Sequence, residues 1–103
     1  MNIDSLRAQC GGPRDGALLR LTLGNALLGA GDAAAAVVEL RQALAFDPAY
    51  SAAWKGLGKA LLATADEAGA ADAWQRGIDA ARQRGDKQAE KEMAVFLRRL
   101  EKT

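Results

Sequence analysis

Leu23-Gly24-Asn25-Ala26-Leu27-Leu28 and Leu57-Gly58-Lys59-Ala60-Leu61-Leu62 are nearly the same phrase written twice, 34 positions apart. The correspondence spreads over Ala17 to Arg84. Asp32 falls on Asp66, Ala34 on Ala68 and Ala36 on Ala70; by class, Leu40 falls on Trp74, Ala43 on Gly77 and Leu44 on Ile78. In a chain this rich in alanine, the informative identities are Leu-Gly, Leu-Leu and the lone Asp. A period in this range marks a helical hairpin that buries its apolar face only by stacking on the next one.

The local signals agree with stacked hairpins. Asp15 is read as the cap of a helix carrying Leu18, Leu19, Leu21, Leu23, Ala26, Leu27 and Leu28, which stops at Gly29-Ala30-Gly31. Apolar residues surround that helix on nearly all sides, which predicts burial between neighbours. Asp32 opens a helix over Ala33 to Phe46. Asp47-Pro48 then closes the hairpin and starts the next helix, Pro48 to Ala63, with Trp54, Leu57, Leu61 and Leu62 inward. Asp66 is the counterpart of Asp32, ahead of a helix over Glu67 to Arg84 that Gly85 ends. Asp86 caps a last helix, Lys87 to Lys102, with an apolar stripe of Ala89, Met93, Phe96, Leu97 and Leu100. A one-sided helix suits the end of a stack, where the outer face meets water. Ile3 to Cys10 places Leu6 where the frame has Leu40 and Trp74, so it reads as a half-repeat. Gly24 and Gly58 sit inside helices at a cost of up to about 1 kcal/mol each, and close approach of a partner helix is the expected compensation.

These residues resemble the tetratricopeptide repeat (TPR) family, whose signature is a large residue, Leu-Gly, a large residue, then Ala, an aromatic or large residue, Ala and Pro. The first unit supplies Arg20, Leu23, Gly24, Leu27, Ala36, Leu40, Ala43 and Pro48; the second supplies Trp54, Leu57, Gly58, Leu61, Ala70, Trp74, Gly77 and Arg82. Arg20 in place of Trp and Arg82 in place of Pro are departures. The resemblance covers about two thirds of the chain. It implies an all-α solenoid of about six helices in one domain over 1–103, with an N-terminal cap at 3–10, repeats at 17–50 and 51–84, and a C-terminal capping helix at 86–102. It also implies a non-enzymatic module or adaptor that binds a protein or peptide.

Composition narrows the classes. Half of the 103 residues are apolar, 5% are aromatic and 26% are charged, which suits close-packed helices rather than a disordered chain. The formal net charge is +1, near −1 over residues 1–51 and near +2 over 52–103, so no electrostatic footprint for nucleic acid is present. The start of the chain lacks the basic and apolar segments of a secretory signal, and charged residues interrupt every candidate membrane span. A cytoplasmic protein with no membrane contact is the expectation. The single cysteine, Cys10, fits a reducing compartment and excludes an internal disulfide framework. Only Arg7 stands near it to activate a thiol, so packing is its simpler role.

The absence of histidine removes Ser-His-Asp and Cys-His arrangements and most zinc sites. Gly56-Leu57-Gly58-Lys59-Ala60 has glycines and a lysine like a phosphate loop, but it lacks the earlier Gly and the Ser or Thr after Lys, and it lies inside a helix. Asp66, Glu67, Asp72 and Asp79 lie along one polar helix as a solvated face. No catalytic residue, metal or cofactor is expected.

In the family the first helix of each hairpin lines a concave groove. The frame maps that groove onto Leu18, Leu21, Asn25 and Leu28 from one helix and Ala52, Lys55, Lys59 and Leu62 from the next. Lys55 and Lys59 repel one another across one helical turn, and no acid between Asp47 and Asp66 relieves them. Either they receive an acidic peptide or carboxylate, or Asp86 or Glu90 on the last helix meets them, or water solvates them. Some family members clamp a C-terminal carboxylate with Lys and Asn from one groove helix, Asn from the next, and Lys and Arg from a third. Here Leu21 and Asn25, Gly56, and Asp86 and Glu90 stand at those places, and only Asn25 matches. Leu18, Leu21 and Leu28 form an apolar strip for a partner's segment, unless the N-terminal helix covers it. A homodimer, as the structural subunit of a larger assembly, is the alternative to an adaptor.

Overall fold

The computed structural model describes residues 2–102. Six helices follow one another: α1 (Ile3–Ala8), α2 (Ala17–Gly29), α3 (Ala33–Phe46), α4 (Ser51–Ala63), α5 (Glu67–Arg84) and α6 (Lys87–Glu101). Among the described residues there is no strand, and the all-α repeat architecture is the one the sequence period implies.

Three of the joints share one device. Gly31, Ala65 and Gly85 adopt left-handed backbone, with φ of 86°, 65° and 72°, which turns the chain out of the preceding helix. The next residue is Asp each time, and its amide donates back across the turn: Asp32 to Leu27 O at 2.9 Å, Asp66 to Leu61 O at 2.9 Å and Asp86 to Ala81 O at 2.8 Å. The same residue's carboxylate then accepts from the first turn of the following helix, at Ala35 N (3.1 Å), Gly69 N (2.8 Å) and Ala89 N (3.2 Å). One aspartate therefore closes one helix and opens another.

Two expected caps are corrected. Gly16, not Asp15, precedes α2 and offers no side-chain cap; the Asp15 carboxylate is taken by Arg20 and by the Gly11 and Gly16 amides. The fourth helix begins at Ser51 rather than Pro48, with Tyr50 as its N-cap residue. Asp47 ends α3 instead, accepting from Ala49 N at 3.2 Å and from Arg84 at 2.6 Å. The N-terminal helix stops at Ala8, two residues before the expected Cys10, whose half-buried thiol donates to Leu6 O at 3.7 Å.

Each helix packs on its successor and α4 also touches α2 and α6, whereas the backbones of α3 and α5 stay apart and are linked at their ends by Arg84 and Asp47. Leu23, Leu27, Ala36, Leu40, Leu57, Leu61, Ala70 and Trp74 are buried along the stack, with Gly24 and Gly58; Trp54 is half-buried and Pro48 exposed. A Cβ on Gly24 would lie 2.7 Å from Leu40 Cγ, and one on Gly58 would collide with the Trp74 indole. Each glycine thus admits the large residue that the repeat places opposite it. Burial of such a side chain contributes about 1.5–3 kcal/mol, which outweighs the helix cost of about 1 kcal/mol for Gly.

Candidate functional face on α2, α4 and α6

The eight residues mapped to a groove fall on two adjacent helices. Leu18 is 68% exposed and Leu62 40%. Asn25 and Lys59 are exposed, while Leu21, Leu28, Ala52 and Lys55 are half-buried. The helices approach closely at mid-length, where a Cβ on Gly56 would lie 3.1 Å from Asn25 Oδ1. Two expectations change here. Leu62 does not turn inward, and α2 is not enclosed on all sides, because α1 packs against it without covering Leu18. Between α1 and α2 a shallow hollow of about 220 Å³ remains, with Leu6 and Leu18 in its walls.

The lysine pair is met by α6, through different residues from those expected. Lys55 Nζ lies 3.3 Å from Glu92 Oε2, and Lys59 Nζ sits 5.1 Å from the centroid of the Phe96 ring. Phe96 stacks at a tilt on Trp74, with centroids 5.4 Å apart, and the Trp74 indole N–H donates to Lys55 O at 3.2 Å. Asp86 instead accepts from Ser51 Oγ at 2.9 Å, and Glu90 from Arg82 at 2.8 Å. The Ala89 amide, then the Ser51 hydroxyl, hold the Asp86 carboxyl below its usual range, with the Lys55 charge contributing less. The cause of the mismatch is register. Helix α5 has 18 residues where α3 has 14, and the joint after it is shorter, so α6 starts 36 residues after α4 rather than 34. Two extra residues rotate a helix by roughly 200°, so a facing carried over from α2 and α4 does not hold on α6, where Glu92 and Phe96 meet the lysines. Glu92 and Phe96 were therefore missed, although Gly85-Asp86 had already set the start of this helix at Lys87.

Known proteins share this sequence and shape. A tetratricopeptide repeat model matches residues 17–60. Over 102 residues the chain is 50% identical to the TPR repeat-containing protein PA0015 of Pseudomonas aeruginosa, spanning 99% of this chain and 97% of that one. The chain belongs to the tetratricopeptide repeat family. Its structure is similar to the solution structure of BPP2914 from Bordetella parapertussis, with a TM-score of 0.85 and 47% identity over 99% of this chain and 89% of that one. It is also similar to the Sgt2 TPR domain of Aspergillus fumigatus, with a TM-score of 0.72 and 25% identity over 98% and 69% of the two chains.

Within the TPR frame the departure at Arg20 has a structural reason. Trp54, at the same place in the second hairpin, donates its indole N–H to Pro48 O at 2.8 Å. Arg20 ties its own hairpin with a fork of bonds, to both Asp15 oxygens at 2.8 and 2.9 Å and to Glu39 at 2.8 Å, with its side chain only 16% exposed. Hydrogen bonds from Arg20, then from the Gly11 and Gly16 amides, hold the Asp15 carboxyl far below the usual carboxylate range, and Asp15 and Glu39 raise the Arg20 guanidinium above its own. Among the described residues no cluster of His, Cys, Asp or Glu is arranged to hold a metal ion, and no helix is long and apolar enough to cross a membrane.

Proposed function

We propose that this TPR chain is a non-enzymatic protein-interaction module whose partner, a peptide or protein segment, lies along the face of α2 and α4 that carries Leu18, Leu21, Asn25, Leu28, Ala52, Lys55, Lys59 and Leu62. The observation that carries this reading is exposure. Leu18 and Leu62 stand among the few large apolar side chains left open to water, and both lie on this face. Exposed apolar groups gathered on one face, with polar groups between them, are the mark of an interaction surface. A net charge of +1 favours a protein partner over nucleic acid, and the reading places the chain in the cytoplasm.

Affinity capture from the source lysate tests it, with wild type beside Leu18→Glu and beside a variant carrying both Lys55→Glu and Lys59→Glu, all shown to be helical by circular dichroism. A protein held by wild type and lost by either variant supports the α2–α4 face. Equal retention by all three contradicts it.

A second reading, self-association as a subunit of a larger assembly, draws on Val38 and Phe46. These are 58% and 51% exposed on α3, outside the α2–α4 set.

A further inference from the structure

Beyond the end of that face, where α4 gives way to α5, a hollow of about 360 Å³ opens between Leu62, Glu67, Phe96, Arg99 and Leu100. It falls within the roughly 300–1,000 Å³ of ligand-binding pockets. The furrow between α3 and α5, at about 240 Å³, and the hollow at α1, at about 220 Å³, fall short of that range. Its walls are apolar on three sides, with Leu62 open to water and Phe96 and Leu100 half-buried.

Two cations stand at this hollow, Arg99 in its wall and Lys59 over the Phe96 ring, against one carboxylate, Glu67. Arg20, Lys55, Arg76, Arg82 and Arg84 each hold a carboxylate. Among the described residues Arg99 has no ion pair, and the contact that Lys59 makes is with the face of the Phe96 ring. A ring face accepts the ammonium as a charge and leaves its three N–H donors available to an anion. Glu67 stands on the α5 side and repels an acid there.

We propose that this hollow is the anchor of the interaction face: it seats one large apolar side chain of an acidic partner segment, while Lys59 and Arg99 hold carboxylates on the residues beside it. The proposal rests on the α2–α4 reading and adds the partner's chemistry to it. Charge complementarity selects acidic over basic segments, and the apolar walls fix which residue enters. Glu67 sets the direction, because carboxylates are accepted on the α6 side and refused on the α5 side.

The test is fluorescence anisotropy with three labelled, end-capped peptides: one phenylalanine between two pairs of glutamates, the same with alanine for phenylalanine, and the same with lysines for glutamates. These are titrated against wild type, Arg99→Glu, Leu62→Glu and, as a control on α3 away from the face, Ala45→Glu, with thermal melts confirming that each is folded; all three positions are exposed. The glutamate–phenylalanine peptide is expected to bind wild type with a Kd below about 1 mM. Alanine, lysine, Arg99→Glu and Leu62→Glu are each expected to weaken binding by about tenfold or more, and the control Ala45→Glu by less than about twofold. Unchanged binding by Arg99→Glu, equal binding of the lysine peptide, or no binding to wild type overturns the proposal. Equal loss in Ala45→Glu and Arg99→Glu also overturns it, and the lysate capture judges the α2–α4 reading separately, so that failure of this proposal leaves that reading standing.

Discussion

Arg20 and Trp54 occupy one repeat position with opposite chemistry, and each fastens the start of its hairpin. The Arg20 cluster carries a pH signature. Because the folded chain holds the Asp15 carboxyl well below its ordinary value of about 3.9, the unfolded chain binds its proton more readily. The stabilisation is therefore complete above that value and declines as pH falls below it. Asp15→Asn is expected to melt lower than wild type at neutral pH and to lose less on acidification; parallel melting curves from about pH 7 to pH 2 check this, and an unchanged acid slope would sink it. Ala65 offers a test of opposite sign. It holds φ of 65° where the first hairpin has Gly31 at 86°. Left-handed backbone costs a residue with a Cβ about 1–2 kcal/mol, while glycine's extra unfolded freedom costs about 0.4–1 kcal/mol. Ala65→Gly should accordingly stabilise by about 0.5 kcal/mol, read as a higher urea midpoint at constant slope.

At the scale of the element, what was legible in the sequence was what is decided locally. Asp32, Asp66 and Asp86 cap the helices they precede because their partners are amides three residues on, and the bounds of α5 match the expectation at both ends. Asp15 and Asp47 carry the same cap signal, but Arg20 and Arg84 claim their carboxylates; Arg84 reaches Asp47 from 37 residues away. No local pattern reveals such a partner. The same limit governs the candidate face. The α2 and α4 residues follow from the repeat, whereas Glu92 and Phe96 depend on the longer α5 and the 36-residue step to α6. Gly58 tests the packing logic directly. Gly58→Ala gains helix propensity of up to about 1 kcal/mol yet drives a methyl into the Trp74 indole. A net loss of about 2 kcal/mol in chemical denaturation is expected; a more stable variant would mean that the two helices are not in such close contact.

At the scale of the whole molecule, the stack measures 40 × 29 × 19 Å and offers two kinds of surface. One, on α2 and α4 with α6 beside them, combines open leucines with two lysines that meet Glu92 and Phe96 of α6. The other, on α3, exposes Val38 and Phe46. If the second surface joins copies of the chain, sedimentation at rising protein concentration will show a dimer that Val38→Glu abolishes; a monomer throughout leaves that face without such a role. The interaction account itself makes a sharper claim about where a partner lies. Backbone amide shifts of isotope-labelled chain, recorded as the protein captured from lysate is added, test it most directly. The account predicts that the changes cluster on Leu18 to Leu28, Ala52 to Leu62 and the Phe96 to Leu100 end of α6. Changes confined to α3 and α5, around Val38 and Phe46, would contradict it.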